Sequence, residues 1–304
     1  MNKYLLIIIA IVVIVGGFLF LNKNSQTLTQ NNKLQVTASF YPVYYFSSEI
    51  GGDKADVKNI TPAGAEPHDY EPTAKDVARL ETGKLLIVNG GVETWEDKIK
   101  ENLKDKNVKI VKAGEGLLNK ELTEDGKKVQ DPHVWLDPVL AKQELEKIRH
   151  GFADVDPVNV SSYDANAKSL GERLDKLDQE YKTGLENCQQ RDFVTSHEAF
   201  GYLAARYGLN QVAISGLSPD EEPSPARLAE VTKFVRESNV KYIFFETLVS
   251  PKLSETIAKE VGAQTLVLDP IEGISDDDIK QGKNYFTVME DNLKNLQTAL
   301  ECSK

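Results

Sequence analysis

Three of the four histidines in this chain of 304 residues lie in segments that resemble ligand-bearing loops. His68, His133 and His197 each follow a predicted strand or a proline-containing loop, and each precedes a predicted helix. They are separated by 65 and 64 residues, and Asp269 follows His197 by 72 residues, at the end of a strand-like segment. Three imidazoles and one carboxylate can complete a tetrahedral site, and that ligand set suits zinc.

Other polar residues near these loops have more ordinary explanations. Glu66 is an alternative oxygen ligand, although Pro67 separates it from His68. His150 lies near the end of a predicted helix, where a cation suits the helix dipole. Asp137 precedes Pro138, a position typical of a helix cap. His150 and Asp137 are therefore not predicted to bind metal, and Glu66 stays open as an alternative ligand.

Four protein ligands would fill a zinc tetrahedron and leave no position for a reactive water molecule. This arrangement favours ion capture over catalysis, so we expect a binding protein and not an enzyme, with no catalytic and no cofactor-binding residues. The alternative from another class is a zinc hydrolase with Glu198 as general base. It would need an open coordination position, and the sequence contains no HExxH motif.

Short strands and helices alternate from Leu34 onward, which predicts an α/β fold with mostly parallel sheets flanked by helices. Between 159 and 187 the alternation stops, and one apolar stripe at helical spacing predicts a single long, rigid helix. We therefore predict two lobes joined by that helix: an N-terminal metal-binding lobe (34–158), a linking helix (159–188) and a C-terminal metal-binding lobe (189–304). The stripe consists of Tyr163, Ala167, Leu170, Leu174, Leu177, Tyr181 and Leu185.

Parallel sheets bind ligands at the carboxyl ends of their strands. His197 and Asp269 directly follow predicted strands of the second lobe, whereas His68 and His133 belong to loops of the first. Two ligands from each lobe would place the ion in the cleft between the lobes.

The N-terminus carries an uninterrupted apolar run of 18 residues, Tyr4 to Leu21, followed by a polar linker over 22–33. The run is long enough to approach the thickness of a bilayer, which favours an uncleaved transmembrane anchor (1–21) over a cleaved signal segment. The rest of the chain is then extracytoplasmic.

The formal net charge of −11 disfavours nucleic acid as a partner. In an exported protein Cys188 and Cys302 suggest a disulfide, with two free thiols as the alternative.

At its ligand motifs the chain resembles the cluster A-I solute-binding proteins, the metal-binding components of zinc and manganese ABC importers. The resemblance covers about Val36 to Leu300 and rests on a set of motifs rather than on any single one. These motifs are Gly64–Pro72 around His68, Asp131–Pro138 around His133, Thr195–Leu203 around His197, Leu268–Pro270 with Asp269, and Ser218–Pro225, which has no assigned ligand role.

The resemblance implies that the protein delivers its ion to a membrane permease driven by a cytoplasmic ATPase, and we expect the protein to be a monomer. Zinc-type members place a histidine at the third ligand position and manganese-type members a glutamate, so His197 favours Zn²⁺ over Mn²⁺. Surface adhesion, a role sometimes attributed to the family, is a further alternative.

The chain departs from the family pattern in two places. Many zinc-type members carry a histidine-rich loop before the second ligand, but residues 114–130, which the sequence predicts to be a charged loop, contain no histidine. Many relatives carry a lipid-accepting cysteine, which is absent near Leu21 here.

Overall fold

The computed structural model describes residues 33–124 and 127–303. From Leu34 onward the described chain forms one compact unit. The predicted anchor (1–21) and nearly all of the predicted linker lie outside the described residues. Within the described part of the chain no helix is long and apolar enough to cross a membrane.

The first lobe contains a four-stranded parallel sheet with strand order β2-β1-β3-β4. All four residues of β3 are buried, as expected for a central strand covered on both faces. Thr73 begins the second helix and forms a capping box with Asp76. The elements are β1 (Leu34–Ala38), α1 (Tyr41–Gly51), β2 (Ala55–Asn59), α2 (Ala74–Thr82), β3 (Leu85–Val88), α3 (Glu96–Asn102) and β4 (Lys109–Lys112).

A β-hairpin occupies part of the segment that the sequence predicted to be a charged loop. Strands β5 (Glu121–Glu124) and β6 (Lys127–Gln130) pair antiparallel and lead into the loop of His133. The Tyr202 hydroxyl accepts hydrogen bonds from the backbone N–H groups of Asn119 and Lys120 and donates one to the carbonyl of Asp131. These hydrogen bonds connect the base of the hairpin to a helix of the second lobe.

Two long helices follow the hairpin. A 3₁₀ turn (Val134–Leu136) precedes α4 (Pro138–Val155), whose N-cap is Asp137, as the sequence predicted. After a second 3₁₀ turn (Pro157–Asn159), α5 (Val160–Leu185) runs for 26 residues. All seven residues of the predicted apolar stripe are buried on α5, so its amphipathic pattern and its role as the long connecting helix are confirmed.

The second lobe repeats the first, with a parallel sheet of strand order β10-β9-β7-β8. A disulfide joins Cys188, just after α5, to Cys302 at the C-terminal end. The two sheets thus lie on either side of α5 in the chain, within the predicted lobes, whose boundary residues remain a prediction. The elements are β7 (Asp192–Thr195), α6 (Gly201–Tyr207), β8 (Asn210–Ala213), α7 (Pro225–Glu237), β9 (Tyr242–Phe245), α8 (Lys252–Val261), β10 (Gln264–Val267), α9 (Asp276–Lys280) and α10 (Tyr285–Ala299).

Candidate metal centre

Three imidazoles meet at one carboxylate oxygen between the two lobes. The Oε1 atom of Glu272 lies 3.1 Å from Nε2 of His68, 3.0 Å from Nε2 of His133 and 3.7 Å from Nε2 of His197. Donor atoms of a tetrahedral zinc site with bonds of about 2.1 Å are separated by roughly 3.4 Å. The distances from Glu272 to the three rings therefore match the spacing that such an ion requires.

Three of the four side chains come from loops at the carboxyl ends of strands in the parallel sheets, and His133 follows the antiparallel hairpin. His68 lies in the loop after β2, and His197 follows β7 by two residues. His133 directly precedes the 3₁₀ turn after the hairpin, and Glu272 follows β10 by five residues. The centre is thus built by two residues from each lobe, and within it only the His68 side chain, 10% exposed, reaches solvent to any extent.

Two of the imidazoles are oriented by further carboxylates. Nδ1 of His133 lies 2.8 Å from Oδ1 of Asp131, and Nδ1 of His197 lies 2.7 Å from Oε1 of Glu246. An Nδ1–H donated to a carboxylate fixes the tautomer in which Nε2 carries the lone pair. Each of these rings can therefore offer a lone pair on Nε2 to a metal ion once its Nε2 proton has left.

The charges of this cluster depend on one another. Burial lowers the pKa of His197, but the carboxylates of Glu246 and Glu272 outweigh burial and raise it well above its usual value. Burial also lowers the pKa of His133, and hydrogen bonds to Asp131 and Glu272 raise it overall. Burial acts to raise the pKa of Glu272, yet the imidazoles hold it well below its usual value. The imidazoles of His133 and His197 and the carboxylate of Glu272 thus stabilise one another's charged forms.

Glu66 lies at the margin of the cluster. Its Oε1 accepts a hydrogen bond from the backbone N–H of His68 at 3.2 Å, and its Oε2 is buried without a hydrogen-bond partner in the described structure. Burial, followed by repulsion from Glu272, raises the pKa of Glu66 to about 9. The raised pKa favours the neutral form of Glu66 at pH 7 in the ion-free protein.

Asp269 does not join the histidines. Its Oδ2 accepts a hydrogen bond from Oγ1 of Thr247, and its Oδ1 accepts one from the backbone N–H of Ile271, both at 2.7 Å. Among the described residues, the sets of potential ligand atoms within 4.8 Å of one another are His68–His133–Glu272 and His197–Glu246–Glu272. The structure thus differs from the sequence prediction. The turn after β10 places Glu272, three residues after Asp269, beside the histidines.

Glu272 and Glu246 were missed by the sequence analysis. Glu246 directly follows β9, a strand-end position that could have identified it. Glu272 lies beyond Pro270 and Ile271 in an irregular turn, and no strand or helix pattern marks it. His150 is exposed on α4, away from the cluster, and its ring contacts Arg149. Asp137 caps α4 and pairs with Arg206 at 2.8 Å.

Comparison with known proteins gives matches along nearly the whole described chain. The chain is 43% identical over 291 residues to the zinc-binding lipoprotein AdcA of Streptococcus pneumoniae strain R6, covering 92% of this chain and 58% of that protein. The chain thus spans little more than half the length of this relative. The Zn(II)-bound crystal structure of the ZnuA-like domain of AdcA matches with a TM-score of 0.77 at 44% identity, covering 89% of this chain and all of that domain.

Two further matches extend the comparison to other bacteria. The high-affinity zinc uptake system protein ZnuA of Bacillus subtilis is 39% identical over 284 residues, covering 90% of this chain and 89% of that protein. The laminin-binding protein Lmb of Streptococcus agalactiae has a TM-score of 0.78 at 37% identity, covering 88% of this chain and 99% of that one. A family model described as ZnuA, zinc-uptake complex component A, periplasmic, matches residues 36–299. The chain therefore belongs to the ZnuA family of metal-binding solute-binding proteins.

Proposed function

We propose that this protein captures Zn²⁺ through His68, His133, His197 and Glu272 in the cleft between its lobes and delivers it to an ABC importer. The main support for this proposal is that three Nε2 atoms lie 3.0 to 3.7 Å from one oxygen of Glu272. Four protein donors complete a tetrahedron around the cargo ion, so the same arrangement leaves no position for a hydrolytic water molecule.

The donor set supports zinc over manganese. Three imidazole nitrogens and one carboxylate suit Zn²⁺, whereas Mn²⁺ prefers sites rich in oxygen. The name of the pneumococcal relative and its Zn(II)-bound structure point to the same ion. Zinc is therefore the proposed cargo, and manganese is the alternative within the family.

Membership of the family supports a cellular arrangement for the protein. Its description as a periplasmic component of a zinc-uptake complex supports an extracytoplasmic location and a permease with a cytoplasmic ATPase as partner. We further propose that the N-terminal apolar run anchors the chain to the plasma membrane and that the protein acts as a monomer.

Competition titration tests the function directly. The purified full-length chain, titrated against a chelator of known affinity, is expected to bind one Zn²⁺ per chain and to bind Mn²⁺ far more weakly. The double variant His133→Ala/His197→Ala should lose high-affinity binding, whereas His150→Ala, the matched histidine control, should keep it. Unchanged zinc affinity in the double variant would refute the proposal.

Adhesion is a second candidate, because Lmb of Streptococcus agalactiae is described as a bifunctional protein with adhesin and metal transporting activity. If this chain shares that activity, immobilised laminin should retain it with an affinity that is independent of the zinc-site variants. Absence of retention alongside zinc binding would leave capture as its function.

A further inference from the structure

Ile271, the residue before Glu272, has an unusual backbone conformation. Its φ is +61°, which places it in the left-handed region. A β-branched side chain is disfavoured there because its branches crowd the backbone. Ile271 is also fully buried, so its side chain is held by the core while its backbone remains strained. Such strain persists only where the surrounding structure enforces it.

Asp269 supplies the local constraint. Its Oδ1 accepts the hydrogen bond from Ile271 N–H, and its Oδ2 is held by the Thr247 hydroxyl on the loop after β9. The carboxylate thus bridges the strained residue and a neighbouring loop of the same lobe. Both of its oxygens are engaged within the protein.

Two residues outside the turn between Asp269 and Ile271 also form hydrogen bonds with its backbone. Asn292 on α10 accepts a hydrogen bond from Asp269 N–H at 2.8 Å and donates one to the Asp269 carbonyl at 2.7 Å. The indole N–H of Trp135 donates to the carbonyl of Pro270 at 2.7 Å. Every residue from Asp269 to Ile271 is therefore tied through its backbone before the chain reaches Glu272.

We propose that Asp269 is a positioning residue that holds Ile271 in its left-handed conformation and thereby aims the Glu272 carboxylate at the three imidazoles. This inference rests on the proposed zinc function and assigns Asp269 a role through Glu272 instead of direct ligation. Without the Asp269 carboxylate, Ile271 can relax to negative φ. That relaxation would turn the following peptide and carry Glu272 away from the histidines.

The test compares Asp269→Ala with Asp269→Asn in the full-length protein. The asparagine Oδ1 can still accept from Ile271 N–H, and its Nδ2 can donate to Thr247 Oγ1, whereas alanine offers neither contact. We expect Asp269→Ala to weaken zinc binding by about tenfold to a hundredfold, the range typical of residues that orient metal ligands. Asp269→Asn should bind zinc within about threefold of the wild type, since its hydrogen bonds are retained.

The absorption spectrum of the Co²⁺-loaded protein separates positioning from general loss of structure. The wild type and Asp269→Asn should share one tetrahedral spectrum, and Asp269→Ala should show altered visible bands. Asn295→Ala is the structural control, because Asn295 also lies on α10 and donates to a strand-end carbonyl, that of Val267, at 2.8 Å. It should leave both affinity and spectrum unchanged.

The outcomes distinguish the two proposals. If Asp269→Asn loses as much affinity as alanine, or alters the Co²⁺ spectrum, then Asp269 acts through its charge as a ligand and the positioning role is refuted. Wild-type affinity and spectrum in Asp269→Ala would refute it equally. If Asp269→Ala does not fold, the asparagine variant alone decides between these roles. Failure of the wild type to bind zinc would instead refute the proposed function.

Discussion

The indole N–H of Trp135 donates a hydrogen bond to the carbonyl oxygen of Pro270, 2.7 Å away. Trp135 follows His133 by two residues, and Pro270 precedes Glu272 by two. One buried hydrogen bond therefore joins the ligand loops of the two lobes directly behind the metal centre. The Tyr285 hydroxyl extends this link by donating to the Trp135 carbonyl at 2.6 Å.

Replacement of Trp135 by phenylalanine should weaken zinc binding. The smaller ring can still pack against Phe40, but the Pro270 carbonyl loses its donor, and an unpaired buried carbonyl costs about 1–3 kcal/mol. We expect the zinc dissociation constant to rise by roughly tenfold. Trp95→Phe is the control, since the only other tryptophan lies in a separate apolar cluster of the first lobe. Equal zinc affinities in the two variants would show that the link does not support the site.

The carboxylates behind the imidazoles should contribute to affinity without touching the ion. Glu246→Gln removes the charge beside Nδ1 of His197, and such changes typically weaken metal binding by about 10- to 100-fold. Chelator competition measures the change. Glu144→Gln, a substitution of a fully buried glutamate outside the candidate centre, is the control and should retain wild-type affinity. A Glu246→Gln variant with the affinity of this control would contradict the orienting role.

Zinc affinity should fall as the pH decreases. The ion and protons compete for the same imidazole nitrogens, and neighbouring carboxylates raise the pKa of His133 and of His197 in the ion-free protein. Proton competition should therefore begin above pH 6.5, the ordinary pKa of histidine. Calorimetric titrations in buffers of different ionisation enthalpy should detect proton release on zinc binding at pH 7. Binding without proton release at pH 7 would contradict the raised pKa values.

Glu144 should make the ion-free fold less stable as the pH rises. Burial raises the pKa of this carboxyl from 4.5 to about 8, and its two oxygens have no hydrogen-bond partner in the described structure. The folded state thus holds the proton more tightly than the unfolded state. No cost arises below pH 4.5, and the cost grows to a few kcal/mol as the pH approaches 8.

Glu144→Gln should remove this pH dependence. Urea unfolding at pH 5 and pH 8 measures the difference, and the variant is expected to gain stability over the wild type at the higher pH. Glu146→Gln, on an exposed position of the same helix, should follow the wild type. Parallel stability profiles for wild type and Glu144→Gln would argue against a buried neutral carboxyl.

The sequence predicted the parallel sheets and the long helix because both depend on local patterns. The stripe of α5 buries the residues that its spacing selected, and strand ends place His197 where parallel topology requires. The hairpin of β5 and β6 was not predicted, because its charged strands lack the apolar alternation that marks a half-buried strand.

The carboxylate of the candidate centre was not predicted from the sequence for a different reason. Asp269 and Glu272 both follow β10, and position alone favours the residue nearer to the strand. In the structure Glu272, not Asp269, lies beside the imidazoles. The turn between them has a positive φ at Ile271 and is held by hydrogen bonds with Thr247, Trp135 and Asn292, which lie elsewhere in the chain. No single-sequence pattern encodes such a convergence, so the approach of Glu272 to the imidazoles followed only from the fold.

The disulfide between Cys188 and Cys302 has a consequence for a chain that is cut by a protease. Together with the intervening chain it closes the whole second lobe into a covalent ring, with a sequence separation of 114 residues. A single cut in any loop of that ring opens it without releasing a fragment, so His197 and Glu272 remain on one molecule with the histidines of the first lobe. The candidate metal-binding residues therefore stay covalently connected after a single peptide-bond cleavage that would split a chain without the disulfide.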